Sequence, residues 1–456
     1  MSNTLIRLPL STVIERFASR QLSPVDYLES FLQRVSECEP TVKAFTCLDH
    51  ERLREAARAS AARYTDGKPL GILDGIPVGI KDIIDTADMP TGYGSAAFVG
   101  HQPRYDAACV RALRAGGALL AGKTVSTEFA YGVSGPTTNP HDAKRSPGGS
   151  SSGSAAAVGA GMLPLALGTQ TLGSILRPAS FNGIVGFKPS HGALSMAGVH
   201  PMAMSLDHLG TLADDTLSAW IGAAAVSLHA GPTPGHPGII GAHLHHPSLR
   251  RPGAMIHLYL AAWEELRPEE QQTMRGMVDY VRSLGITVHD RHNDARIAAV
   301  ETVLDESLVD AKRIVDFEMR HPYSAYVERY GDLMSETVRS GVSRSATMTS
   351  RDYESLLSRR SAARAQVDAL LRETQADGFM LPAASGAAPL GLSYTGSRSY
   401  LTYWSWLGFP AISLPLMMAE GMPWGLQIGL GSQQDRALIE VAQWFEANLP
   451  RCPQWD

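Results

Sequence analysis

A dense run of glycine and serine occupies residues 146–154, where the chain reads SPGGSSSGS. A serine hydroxyl in such a run can serve as a nucleophile if a neighbouring base takes its proton. The same composition is typical of a flexible linker. The sequence that follows without a break is strongly apolar and punctuated by glycine as far as Ser190, which a solvated linker would not be. We therefore disfavour the linker interpretation.

Residues 149–153 also match the G-x-S-x-G pattern of a nucleophile elbow, with Ser151 at the nucleophile position. That motif requires a buried strand that leads directly into the turn. The preceding residues, NPHDAKRSPG, are polar and broken by proline, so the match is accidental in our interpretation. A phosphate-binding loop is disfavoured as well, because no G-K-[ST] follows the glycines.

The tract closely resembles the hallmark of the amidase signature family, a Gly/Ser segment followed by a second Gly-Ser loop, an Arg-Pro-Ala segment and a Gly-Phe-Lys-Pro-like ending. The resemblance is specific because several separate segments agree. They cover most of the chain outside residues 230–370 and are residues 71–95, 127–142, 146–190, 205–213, 408–416 and 421–429.

The resemblance implies a catalytic triad of Lys81, Ser150 and Ser174, with Ser174 as nucleophile and Ser150 as the bridging serine on a cis peptide bond. The 24-residue separation of the two serines agrees with the family pattern. Supporting positions are expected at Gly149, Ser151 and Arg177. The family's oxyanion hole, built from backbone N–H groups, falls on Thr171, Leu172, Gly173 and Ser174.

The residue chemistry agrees with this assignment for Lys81. A lysine can act as a base only when it is neutral, and Lys81 lies in the apolar segment IPVGIKDII. Burial there would disfavour the charged form and lower its pKa. The alternative is a strand-end lysine that reaches solvent or pairs with Asp82.

Three departures from the family pattern lie in or next to the nucleophile loop. Leu172 replaces a residue that is commonly glycine, so a left-handed backbone at this position would be penalised. Gln170 replaces an aspartate and removes a charge near Ser174, and Arg177 lies one position later than in the common arrangement. We expect these changes to affect the substrate range more than the chemistry.

Three further groups of residues are weaker candidates. His243 and His245 would share one face of a strand at a spacing compatible with a metal, but no third ligand segment accompanies them. Asp207 and His208 suggest a structural hydrogen bond. An aromatic cluster is equally consistent with an acyl pocket and with plain core, and its members are Tyr400, Tyr403, Trp404, Trp406 and Phe409.

The segments that carry and flank these residues predict an α/β fold. It has one mixed β-sheet between helical layers, with an inserted helical region. Ser23 and Pro24 mark the start of an amphipathic helix in an N-terminal helical layer, residues 1–70. Short apolar runs alternate with helices over a catalytic core, residues 71–229. A variable inserted region follows at 230–378, with a His-rich strand candidate near its start. The C-terminal part of the core, 379–456, returns to the apolar texture and is expected to complete the sheet.

Composition limits the partners. The net charge of −5 offers no basic field for nucleic acid or anionic lipid. No signal-peptide pattern or long apolar stretch predicts secretion or a membrane span. The four cysteines, Cys38, Cys47, Cys109 and Cys452, are scattered, which favours a reducing compartment, the cytoplasm. A homodimer is a possible assembly.

The sequence therefore predicts an amidase that cleaves small linear amides through an acyl-enzyme and needs no cofactor. One alternative is the glutamine-hydrolysing subunit of a tRNA-dependent amidotransferase, which would require partner subunits. A second is a metal-dependent amidohydrolase built on His243, and a third is a non-catalytic binding module in which Leu172 has disrupted the oxyanion hole.

Overall fold

A single mixed sheet of eleven strands forms the centre of the computed structural model, which describes residues 5–243 and 246–451. In chain order the strands are β1 (Phe45–Cys47), β2 (Pro77–Lys81), β3 (Leu119–Thr124), β4 (Leu165–Gln170), β5 (Val185–Lys188), β6 (His208–Ala213), β7 (Ala254–His257), β8 (Thr287–His289), β9 (Gly378–Pro382), β10 (Ala411–Ala419) and β11 (Met422–Gly429). Their order across the sheet is β1-β3-β2-β4-β6-β5-β10-β11-β9-β7-β8.

Helices surround this sheet. Within the described residues they are α1 (Leu10–Ala18), α2 (Pro24–Val42), α3 (His50–Thr65), α4 (Ala108–Ala115), α5 (Ser152–Gly159), α6 (Leu176–Asn182), α7 (Thr216–Ala230), α8 (Pro268–Ser283), α9 (Ala295–Glu318), α10 (Tyr323–Tyr330), α11 (Glu336–Ser345), α12 (Ser350–Thr374), α13 (Thr402–Leu407) and α14 (Asp435–Asn448). The predicted fold class is confirmed. The start of α2 is also as predicted, because the Ser23 hydroxyl accepts the Val25 N–H and Pro24 occupies the first turn.

The sheet is completed by strands that are distant in sequence, as predicted. β10 pairs antiparallel with β5, and β11 pairs antiparallel with β9. β2 lies parallel to both β3 and β4, so the carboxyl ends of these three strands meet at one edge. Every residue of β2, β3 and β4 is buried, which explains their nearly continuous apolar sequence.

The region 230–378 is mostly helical, and it also adds β7 and β8 to the end of the sheet. The His-rich strand predicted near its start is wrong for Ala242 and His243, which lie in a turn. Gly241 has φ +81°, a left-handed conformation that reverses the chain where a strand would extend it. His245 lies outside the described residues. No helix among the described residues is long and apolar enough to cross a membrane.

Candidate active site

Lys81 is the last residue of β2 and is completely buried. Its Nζ donates to Ser150 Oγ at 2.7 Å and to Thr169 Oγ1 at 2.8 Å. Thr169 lies near the carboxyl end of the neighbouring parallel strand β4, so sheet topology brings the two side chains together. The alternative environments for Lys81 are not formed, since the lysine does not reach solvent and Asp82 pairs with Lys123 at 3.8 Å.

Burial lowers the pKa of Lys81 well below its ordinary value, and the nearby charge of Asp207 opposes this shift. Burial also raises the pKa of Asp207 to about 7, against hydrogen bonds that favour its ionised form. Both shifts therefore favour the neutral form of the group concerned. A neutral amine with a lone pair is the form of lysine that can accept a proton.

The Gly149–Ser150 peptide bond is cis. Arg177 Nη2 donates to the Gly149 carbonyl at 2.7 Å, and the Ser150 carbonyl accepts the Thr127 N–H at 3.2 Å. A Cβ at position 149 would lie 2.9 Å from Thr395 Cγ2, so the site requires glycine here. These contacts fix the backbone that carries the Ser150 hydroxyl beside Lys81.

Ser151 has a different environment from Ser150. Its Oγ donates to the Thr169 carbonyl and accepts the Thr169 N–H, both at 3.2 Å, and the residue is fully buried. Ser151 therefore holds the end of β4, which carries one of the two contacts of Lys81. The hydroxyl is not placed to attack a substrate, so the structure does not favour the nucleophile-elbow interpretation.

The loop at residues 171–174 joins β4 to α6 and carries Ser174. The left-handed conformation falls on Gly173, with φ 129°, and not on Leu172, so the penalty considered for Leu172 does not arise. A Cβ at Gly173 would lie 2.8 Å from Leu401 Cδ1. Within the described residues, the four N–H groups of this loop donate to no protein acceptor. They are available to a bound oxygen.

Gln170 has a role that its substitution for aspartate did not reveal. Its Oε1 accepts the N–H groups of Ile175 at 3.0 Å and Leu176 at 3.1 Å, and its Nε2 donates to Ser405 Oγ at 3.2 Å. An amide oxygen thus accepts the N–H groups just after Ser174 without placing a charge there. The amide nitrogen ties the loop to α13.

Asp207 holds the same loop from the other side. Thr171 Oγ1 donates to Asp207 Oδ1 at 2.6 Å, while Oδ2 accepts the N–H groups of Met202 and Ala203 at 2.9 and 3.0 Å. His208 does not pair with Asp207, because its Nδ1 donates to the Leu206 carbonyl at 2.6 Å. The structural hydrogen bond expected for this pair is thus made by Asp207.

Ser150 and Ser174 line one cavity of about 340 Å³. Ala130 and Tyr131 line it too, on a short loop in which Phe129 has φ 49° and Ala130 has φ 58°. Two consecutive non-glycine residues in this conformation are unusual, so although residues 127–142 carry part of the family resemblance, their sequence did not indicate that Ala130 and Tyr131 line the cavity. Thr169 was also missed, because nothing in β4 distinguishes it before Lys81 is placed.

The weaker candidates lie elsewhere. The five aromatic side chains of residues 400–409 are buried, and they belong to the core and not to the cavity wall. His243 is exposed. Within residues 5–243 and 246–451, no group of three or more His, Cys, Asp or Glu side chains is arranged to hold a metal ion.

A buried lysine bonded to one serine, and a second serine on the same cavity, match the arrangement that the resemblance to the amidase signature family implies. The chain belongs to the amidase signature family, whose model, described as Amidase, matches residues 26–439. A crystal structure of an amidase superposes with a TM-score of 0.84 and 29% identity over 97% of this chain and 100% of that chain. The peptide amidase from Stenotrophomonas maltophilia superposes with a TM-score of 0.78 and 26% identity, covering 99% of each.

Among curated proteins, a glutamyl-tRNA(Gln) amidotransferase subunit from Acidothermus cellulolyticus is 42% identical over 231 residues. The match covers 49% of this chain and 46% of that protein. The chain thus spans about half the length of the curated relatives it matches.

Proposed function

We propose that the protein hydrolyses the carbon–nitrogen bond of small linear amides through an acyl-enzyme on Ser174. The observation that carries this proposal is the 2.7 Å contact between the buried Lys81 Nζ and Ser150 Oγ, at a cavity that Ser150 shares with Ser174. Membership of the amidase signature family supports it.

In the proposed mechanism Ser174 Oγ attacks the amide carbonyl and gives its proton to Ser150 Oγ, while the proton of Ser150 passes to the neutral Lys81 Nζ. The N–H groups of residues 171–174 stabilise the oxyanion that forms. Collapse of the tetrahedral intermediate breaks the C–N bond, and Lys81 returns the proton through Ser150 to the leaving amine. Water then attacks the acyl-enzyme and gives a proton to the same pair, and the pair returns this proton to Ser174 Oγ as the ester bond breaks and the acid leaves.

Covalent labelling tests the nucleophile. A fluorophosphonate should modify the wild-type protein on the peptide that contains Ser174, and Ser174→Ala should lose both the label and amide hydrolysis. Ser151→Ala is the matched control and should still be labelled on Ser174. An adduct on Ser151 in the wild-type protein would overturn the assignment.

The second candidate is glutamine hydrolysis within an amidotransferase, which the 42% identity to an amidotransferase protein favours. Glutamine presents an α-ammonium group beside its carboxylate, and a buried ammonium needs an anionic partner. Among the described residues, no Asp or Glu lines the cavity of Ser150 and Ser174. We therefore rank this candidate second, and an assay of ammonia release from glutamine against a neutral primary amide separates the two.

A further inference from the structure

The wall of the active-site cavity carries four cationic side chains. Arg177, Lys312, Arg344 and Arg398 all line the cavity that holds Ser150 and Ser174. An adjoining recess of about 320 Å³ shares Lys312 and Arg398 with it. Among the described residues, no Asp or Glu lines either space.

These cations are only partly neutralised. Lys312 Nζ and Arg344 Nε both bond to Asp316, at 3.1 and 3.0 Å. One carboxylate can neutralise only one of these two positive charges. Arg177 is buried and bonds only to uncharged oxygens, those of Gly149, Thr395, Gly396 and Ser397. Its Nε is buried without a hydrogen-bond partner in the part of the chain that the structure describes.

The side chain of Arg398 has no ion pair or hydrogen bond within the described residues, and this exposed residue lines the cavity. Burial lowers the pKa of Arg177 to about 9, and the like charge of Arg398 adds to this shift. Four cations and the one Asp316 carboxylate leave a net charge of +3, and Arg177 and Arg398 have no carboxylate partner within the described residues. Arg177 is buried and lines the same cavity as Ser174, so this set of cations is not only a solvated surface.

Unbalanced charges of one sign around a cavity with low-dielectric walls attract and hold an ion of the opposite sign. Guanidinium groups bind carboxylates through paired, charge-assisted hydrogen bonds. We propose that the substrates of this site are amides that carry a carboxylate beyond the scissile bond, held by the cations of the cavity wall. This inference rests on the proposed amide hydrolysis and narrows it to an anionic substrate class without an ammonium group.

The test compares amides that differ only in charge. Succinamate, glutaramate and adipamate carry a carboxylate where the neutral diamides of the same chain length carry a second amide. We expect kcat/KM to favour at least one carboxylate over its diamide by about tenfold or more. The ratio should fall as sodium chloride is raised from low to high concentration, because salt screens the attraction. If kcat/KM is the same for the carboxylate and its diamide at all three chain lengths, in an enzyme that turns over the diamides, the inference is overturned and the proposed function is left intact.

A binding measurement separates the inference from catalysis. Ser174→Ala should bind at least one of the three carboxylates more tightly than its diamide in calorimetry, and this comparison decides the inference even if none of the compounds is hydrolysed. Arg398→Gln should reduce the preference for the carboxylate several-fold. Arg372→Gln is the control, since Arg372 is exposed and lines neither space, and it should leave the preference unchanged. If Arg398→Gln and Arg372→Gln keep the same preference for the carboxylate, Arg398 does not hold the substrate. If Ser174→Ala binds no carboxylate more tightly than its diamide, the inference is overturned.

Discussion

The proposal that Lys81 is the base depends on its pKa, which burial in the fold lowers. The side chain is completely buried, and its two nearest polar contacts are uncharged hydroxyls. Burial without a carboxylate contact lowers the pKa of a lysine. At neutral pH an ordinary lysine would be almost entirely protonated and unable to accept the proton of a serine.

Replacing Lys81 with arginine should therefore abolish the base while it keeps a positive charge. We expect Lys81→Arg to acylate about 10²- to 10⁴-fold more slowly than the wild type, and nearly as slowly as Lys81→Ala, because guanidinium cannot give up its proton. Stopped-flow single-turnover acylation measures this rate. Near-normal acylation by Lys81→Arg, with an unchanged pH profile, would mean that the base is another group.

The pH dependence of acylation should show the effect of Asp207 on the pKa of Lys81. In the proposed mechanism the rate rises with pH as Lys81 loses its proton, over a range below the ordinary lysine pKa. The charge of Asp207 raises the pKa of Lys81, so Asp207→Asn should move the rising limb to lower pH. Asp435→Asn is the control, because Asp435 bonds to Ser190 and its charge acts on Lys188. If the rising limb of the Asp207→Asn profile stays in place or moves to higher pH, the charge of Asp207 does not raise the pKa of Lys81.

At the scale of elements, the loop between β4 and α6 is held by its neighbours more than by its own sequence. Gly173 supplies the one left-handed conformation, while Gln170 and Asp207 bond to residues on either side of it. From the sequence, Gln170 was recognised only as a lost charge. Its hydrogen bonds depend on where α6 and α13 pack, which no local pattern specifies.

Gln170→Leu tests this account of the loop. The nearly isosteric change removes the acceptor of the Ile175 and Leu176 N–H groups, and each unpaired buried N–H costs about 1 to 3 kcal/mol. We expect the free energy of unfolding to fall by about 2 kcal/mol or more, and kcat to fall more than KM rises. Ser405→Ala removes only the contact of the amide nitrogen, so its effects should be clearly smaller. If the two variants have equal effects, the amide oxygen does not hold the loop.

Over the whole molecule, the sequence singled out candidate residues on the core sheet and in the loops next to it, and it missed those that the inserted region supplies. Lys81, Ser150 and Ser174 lie in segments with recognisable motifs. Lys312 on α9 and Arg344 on α11 lie in amphipathic helices whose charged residues resemble any solvated face. The packing of α9 against α11 brings these two charges to the cavity of Ser150 and Ser174, and no local sequence pattern specifies that packing.

This division predicts that selectivity and proton transfer can be altered separately. The network of the inserted helices can be neutralised as a unit by Lys312→Gln, Asp316→Asn and Arg344→Gln, which leaves no unpaired Asp316 carboxylate behind. We expect the triple variant to lose part of its preference for carboxylate-bearing amides over their diamides. The rising limb of its acylation profile should stay within about half a pH unit of the wild type, because the pKa of Lys81 responds to burial and to Asp207. Steady-state rates on the paired amides and single-turnover pH profiles measure the two effects. If the rising limb shifts while the preference for carboxylate-bearing amides is unchanged, the prediction is contradicted. The inserted helices would then act on Lys81 and not on the substrate.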